Sequence, residues 1–236
     1  MVNDRGQFMK ITAQHWPKKI LLWLTAAVLT LGGLFFWMRQ DQTYPELPQE
    51  EIARLASPAI CMLAIHWDDG RFAIGMGFVA SAQGRIAVSR HSVAEAKRVF
   101  AVCNAHFAPV EGIHKHPDQD LALLNTTIAG VAPLPLSRRD PEKLTGKKIY
   151  VVRSRDHIHA PVVAGQILGF DDRQQKLALL MYKPLYGGNS GAPVLLGNGE
   201  VIGVISNVWT IPGKPSIYFA APVRDFYGIP DHALPP

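Results

Sequence analysis

The chain has 236 residues, 48% of them apolar and 18% charged, which supplies a full core and excludes an intrinsically disordered chain. The net charge of +5 raises nucleic-acid binding, but the charge is misplaced for it: five Lys or Arg and one Asp fall within residues 1–40, leaving 19 basic and 18 acidic residues for the remainder. A near-neutral remainder, without a stripe of Lys and Arg interleaved with aromatics, lacks the electrostatic footprint that nucleic acid requires.

Residues 20–38, ILLWLTAAVLTLGGLFFWM, form an uncharged run of the length an α-helix needs to cross roughly 30 Å of hydrocarbon. Lys10, Lys18 and Lys19 precede it, and Trp23 and Trp37 lie near its ends, the pattern of a span whose N-terminus stays in the cytoplasm. A cleavable signal peptide has a shorter apolar core followed by an A-x-A-like site; the stretch LFFWMRQDQTYP after Gly33 has none. The expectation is a basic cytoplasmic tail over 1–19 and a signal anchor over 20–38. The rest of the chain is then placed outside the cytoplasm, in a periplasm or an equivalent space.

Residues 39–51 are polar and proline-bearing, as a spacer between membrane and domain is, and EEIARLAS carries a short helical pattern. Over residues 52–230 the pattern changes to short runs rich in β-branched and aromatic residues: AICMLAIH, FAIGMGFVA, RIAVS, VFAVCNA, LALLNTT, KIYVVRS, PVVAGQILGF, KLALLMYK, APVLL, VIGVISNV and SIYFAAPV. Gly, Pro, Asn and Asp separate them, which predicts an all-β barrel or sandwich. Only HSVAEAKR and PVRDFYGI read as locally helical. No internal repeat is present, and residues 231–236 form a short tail.

YGGNSGAPV, residues 186–194, sets Ser190 among Gly187, Gly188, Gly191 and Ala192. Glycine clusters mark backbone that takes positive φ or approaches another group closely. Two readings follow: a turn between strands, or a loop that aims a hydroxyl and several N–H groups at one point. GRIAVSRHSVAEA places His91 where a strand ends and a short helix begins, and HPDQDLALLNTT places Asp120 at the head of an apolar strand. Taken singly, His91 is a surface or capping residue and Asp120 an ordinary strand-start aspartate.

Together, His91, Asp120 and Ser190 stand in the chain order of chymotrypsin-type proteases, and the segments that carry them resemble the HtrA-type branch of the trypsin-like serine peptidases. GMGFVASAQGRIAVSRHSVAEA is similar to that family's Gly-x-Gly-Phe strand and histidine segment, DLALL to its aspartate strand, GNSGAPVLLGNGEVIGVI to its nucleophile loop, and SIYFAAPV to its closing strand. The resemblance covers residues 52–228 and implies two perpendicular six-stranded β-barrels with the active site between them. It implies a serine endopeptidase acting on protein or peptide substrates without a cofactor. Ser190 is then the nucleophile, His91 its base and Asp120 the group that orients the imidazole. Backbone N–H groups of Gly188 and Ser190, joined by Asn189, would form the oxyanion hole. A protease-fold interaction module without turnover is the alternative. Nothing in the sequence specifies an oligomer.

The resemblance carries further expectations. Pro184, Leu185, Val208 and Ser216 would wall the pocket for the residue before the scissile bond; with no acid at its base, small aliphatic residues are expected there rather than Lys or Arg. Asn189 stands where the digestive proteases carry the acid that receives a new N-terminus, so no N-terminal processing is expected. Ala192 replaces a second glycine, which raises strain if that position needs positive φ. SRHSV replaces the commoner Thr-Asn-x-His-Val. Seven residues follow PVRDFYGI, so no C-terminal PDZ domain is expected. Cys61 and Cys103 fall on strands that are neighbours in the family's first barrel; they are either bridged, as an exported compartment permits, or a pair of buried thiols. His114 and His116, like His157 and His159, form His-x-His pairs, but no Cys or carboxylate completes a ligand spacing. They are therefore read as loop histidines, and no metal is expected.

Overall fold

The computed structural model describes residues 46–152 and 162–229. The tail over 1–19, the expected anchor at 20–38, the spacer up to Pro45, His157, His159 and residues 231–236 lie outside the described residues. Among those described, no helix is long and apolar enough to cross a membrane.

One helix, α1 (Gln49–Ala56), leads into twelve strands. The first six are β1 (Ile60–His66), β2 (Phe72–Val79), β3 (Ile86–Val88), β4 (Arg98–Cys103), β5 (His106–Lys115) and β6 (Ala122–Thr126). They close into an antiparallel barrel in the order β1-β2-β3-β6-β5-β4. The second six are β7 (Lys148–Val152), β8 (Val162–Asp171), β9 (Lys176–Met181), β10 (Pro193–Leu196), β11 (Val201–Trp209) and β12 (Ile217–Pro222). These close in the order β10-β11-β12-β9-β8-β7. Closure leaves no unpaired edge to template aggregation.

Side-chain alternation explains both the clear and the ambiguous strands. In β1 the inward residues Cys61, Leu63 and Ile65 are almost fully buried while Met62 and Ala64 are not, the period of two expected of a strand with one covered face. In β7, β10 and β11 every position from Ile149 to Val152, Val194 to Leu196 and Val201 to Ile205 is buried. Alternate residues there serve different cores: Ile149, Val151, Val194 and Ile202 fill the second barrel, whereas Tyr150, Val152, Leu195 and Val204 join the larger cluster that includes the first barrel. A strand covered on both faces reads as a continuous apolar run. Helix α1 joins that larger cluster through Ile52 and Ala56, four residues apart on one face. Its entry is held by Leu47 N–H donating to Gly197 O at 2.8 Å.

Strand β5 is absent from the apolar runs of the sequence. Only Ala108 among its ten residues is buried, Pro109 and Gly112 interrupt it, and its register shifts between Val110 and Gly112. Backbone pairing to β4 and β6 holds it in place, so a side-chain pattern had little to report. His114 therefore lies on a strand rather than in a loop, with Nε2 3.0 Å from Asn125 Nδ2. His116 does lie in the following turn, where Nδ1 accepts from the N–H groups of Asp118 and Gln119.

Cys61 and Cys103 are directly opposed in the β1–β4 register with Cα atoms 4.3 Å apart, and a disulfide joins them. The bridge closes 42 residues of chain, so replacing both cysteines with alanine should destabilise the domain by about 3–4 kcal/mol. Urea midpoints of the two proteins check the magnitude, and intact mass before and after reduction checks the bridge.

Candidate active site

His91 follows β3 in a short 3-10 turn, Arg90–Val93, whose preceding residue Ser89 is fully buried. Asp120 sits two residues before the start of β6, the strand paired with β3. That neighbourhood brings them together. Asp120 Oδ2 lies 2.8 Å from His91 Nδ1, and Oδ1 accepts the His91 backbone N–H at 2.8 Å. One carboxylate thus holds both the ring and the backbone of the same residue. Burial pushes the Asp120 carboxyl up, but hydrogen bonds from the His91 ring, the Ser206 hydroxyl and the His91 N–H outweigh it, leaving its pKa below the ordinary 3.8.

Two residues that the sequence reading passed over complete this arrangement. Ser206, on β11 of the second barrel, donates its hydroxyl to Asp120 Oδ2 and is 3% exposed. It sits where the β11–β12 register shifts, between Ile205 and Asn207, and such a bulge re-aims a side chain. Arg90 donates from one guanidinium nitrogen to the carbonyls of His116 and Pro117 at 2.8 and 2.6 Å, and its N–H reaches Asp120 O at 3.2 Å. The unusual SRHSV segment therefore clamps the turn that presents Asp120. An arginine beside the histidine was the available signal; its partners lie 26 and 27 residues away.

The serine loop is shaped by two glycines. Gly188 has φ +91° and Gly191 φ +90°, a region that side chains rarely enter. At Gly191 a Cβ would also collide with the carbonyl oxygen of Met76, and it would lie 3.6 Å from the Ser89 nitrogen. The residue after Ser190 is thus pressed against the first barrel, two residues before His91. Gly191 N–H donates to Ile205 O, and Ile205 N–H to Ala192 O, at 2.8 and 2.9 Å. Ala192 is fully buried and is not among the residues with positive φ, so the strain expected from the missing second glycine does not arise.

Asn189 differs from expectation. Its N–H donates to Tyr186 O at 3.2 Å, while its side-chain oxygen accepts the Tyr186 N–H at 2.8 Å; it braces the loop rather than offering an oxyanion donor. Its side-chain nitrogen is buried without a partner among the described residues. Ser190 opens onto a cavity of about 310 Å³ that Pro184, Leu185, Val208 and Ser216 also line. Tyr218 lies at the same cavity, its hydroxyl accepting the Leu185 N–H at 3.0 Å. No charged side chain is among the lining residues. The structure draws no hydrogen bond between Ser190 and His91; His91 Nε2 has Ser92 Oγ at 3.5 Å. No group of three His, Cys, Asp or Glu poised for a metal occurs among the described residues.

Gly191→Ala should cost about 1–3 kcal/mol through its φ alone and displace Ser190, lowering its reactivity toward a fluorophosphonate by about 100-fold. Ala192→Gly should cost about 1 kcal/mol and leave that reactivity near wild type; thermal melts and labelling rates compare the pair. The lowered Asp120 pKa also predicts a pH dependence. Its contribution to stability is present above the unfolded value of 3.8 and is lost as pH falls through the lower folded value. The stability gap between wild type and Asp120→Asn, from urea unfolding, should therefore be widest near neutrality and narrow below pH 3.8.

Comparison with known proteins gives the same assignment as the fold. A probable periplasmic DegP-like serine endoprotease of Ectopseudomonas mendocina is 27% identical over 160 residues, a match that covers 64% of this chain and 33% of that protein. The chain thus spans about a third of the length of that relative. Among solved structures, the serine endoprotease of Yersinia pestis superposes with a TM-score of 0.61 at 20% identity, over 75% of this chain and 63% of that one. The Rv3671c protease of M. tuberculosis in its active form gives 0.64 at 16% identity, over 84% and 96%. At those identities the likeness is one of fold. Residues 75–204, more than half of the chain and a span that holds His91, Asp120 and Ser190, match the trypsin-like peptidase domain; the chain belongs to that family.

Proposed function

We propose that the protein is a serine endopeptidase that cleaves protein or peptide substrates outside the cytoplasm. The observation that carries this reading is the Asp120–His91 pair, bonded through Nδ1 and the backbone N–H, beside a loop whose backbone is bare around Ser190. With Nδ1–H donated to Asp120, Nε2 is the basic nitrogen and takes the Ser190 proton as Oγ attacks the substrate carbonyl. The bond formed is Oγ–C; the bond broken on collapse is C–N, and His91 returns the proton to the leaving amine. Water then repeats the sequence on the acyl-enzyme.

Charge that develops on the carbonyl oxygen needs preorganised donors. The N–H groups of Gly188 and Ser190 have no backbone acceptor among the described residues and are available for that work, each donor of this kind being worth roughly 100-fold or more in rate. The internal bracing of Asn189 by Tyr186 supports a loop that assembles without a processed N-terminus. Val208 and Ser216 line the cavity beside Ser190, and the absence of a charged lining residue leaves a Lys or Arg substrate unpaired. Small aliphatic residues such as Ala or Val fit before the scissile bond. The apolar run at 20–38, with lysines ahead of it, supports an N-terminal anchor. The periplasmic assignment in the name of the E. mendocina relative is consistent with the side of the membrane proposed here.

A fluorophosphonate should label the wild type stoichiometrically and leave Ser190→Ala unlabelled; a folded wild type that stays unlabelled sinks the enzyme and leaves the silent interaction module. A peptide-library profile of the active protein should favour Ala and Val before the cleaved bond, and Val208→Gly should shift it toward larger residues by roughly 10-fold or more. A wild-type preference for Arg, Lys or Phe would overturn the pocket assignment.

A further inference from the structure

The hydrogen-bond chain that runs from His91 through Asp120 to Ser206 continues for one more step. Lys176, the first residue of β9, donates from Nζ to Ser206 Oγ at 2.9 Å and to Asn207 Oδ1 at 3.1 Å. The lysine is partly buried; lost solvation holds its pKa below the ordinary 10.5, Asp120 pulls it back up and Arg90 opposes that pull. An ammonium has three donors and no acceptor. Ser206 has one hydroxyl proton, and with Lys176 donating to its oxygen that proton is directed to Asp120 Oδ2. A side chain able to accept at position 176 would let the hydroxyl turn away. Lys176 also sets a positive charge one hydroxyl beyond the carboxylate.

Building on the peptidase reading above, we propose that Lys176 is a positioning residue for the triad: it fixes Ser206 as a donor to Asp120 and sets the pH at which the Asp120–His91 pair takes up a proton. The other groups facing the pair are already engaged. The Arg90 guanidinium is held by the carbonyls of His116 and Pro117, and the His116 ring is capped by the N–H groups of Asp118 and Gln119. Asp225, whose carboxyl burial pushes up, is ion-paired with Arg224. Lys176 is the cation joined to Asp120 through a hydrogen-bonded hydroxyl. Removing it takes away a charge that opposes protonation of the pair, so uptake moves to higher pH.

The test follows the His91 imidazole resonances against pH in the full chain carrying Ser190→Ala, assigned by comparison with His91→Ala. Lys176→Met and the neutral, similarly long Lys176→Gln should each raise the midpoint by about 0.3–0.8 pH unit, and Lys176→Arg should restore it. With Ser190 intact, the acid limb of fluorophosphonate labelling should move by the same amount. An unchanged or lowered midpoint in the neutral variants overturns the proposal, as does loss of folding in both of them with Lys176→Arg folded, which would make the lysine a structural residue. The resonances are read without a nucleophile or substrate. They therefore judge Lys176 even if the wild type resists the fluorophosphonate, the result that removes the peptidase reading itself.

Discussion

The Asp120 carboxylate is the group on which the site depends, because it gathers donors from both barrels at one point. It accepts the His91 N–H and ring, which belong to the first barrel, and the Ser206 hydroxyl, which belongs to the second. A buried carboxylate without partners would take up a proton or unfold its surroundings. Three donors keep it ionised, and in return it fixes the ring of His91, whose imidazole remains half-exposed toward the cleft. The same carboxylate thus orients the histidine and ties the first barrel to the second through Ser206.

The serine loop obeys a second constraint that follows from the first. If Ser206 must reach Asp120, the strand that carries it lies against the first barrel, and the loop before β10 is brought close as well. Gly191 is the point of closest approach, with Met76 O where a Cβ would be. Met76 closes the same contact from its other side, since its side chain packs with the interior of the second barrel. Bare backbone around Ser190 thus has two causes. Gly188 takes a positive φ at the rim of the cavity, while Gly191 lets two barrels touch.

Departures from the family pattern are absorbed by local replacements. Ala192 adopts an ordinary φ and fills buried space, so positive φ in the loop is confined to Gly188 and Gly191. Asn189 satisfies its oxygen within its own turn. Arg90, which interrupts the commoner segment before the histidine, does work that neither Thr nor Asn reaches far enough to do: it spans to the carbonyls of the turn that presents Asp120. Each change alters how the segments around His91, Asp120 and Ser190 are braced.

Eleven of the strands, the segments that carry His91 and Asp120, and the glycines around Ser190 were legible in the sequence, because hydrophobic alternation and local backbone demands are encoded within a few residues. Strand β5 was not, since it is held by backbone pairing and buries a single side chain. Nor were Ser206, Lys176 and the clamp made by Arg90, whose partners lie 86, 30 and 26 or more residues away in the chain. An isolated Ser or Lys on a strand carries no local signature of a partner in another strand. Tertiary structure decided those contacts, because each depends on which strands and turns barrel closure and packing bring together; the β1–β4 register decided that Cys61 faces Cys103, while Asn189 turns inward through a contact within its own turn, to Tyr186.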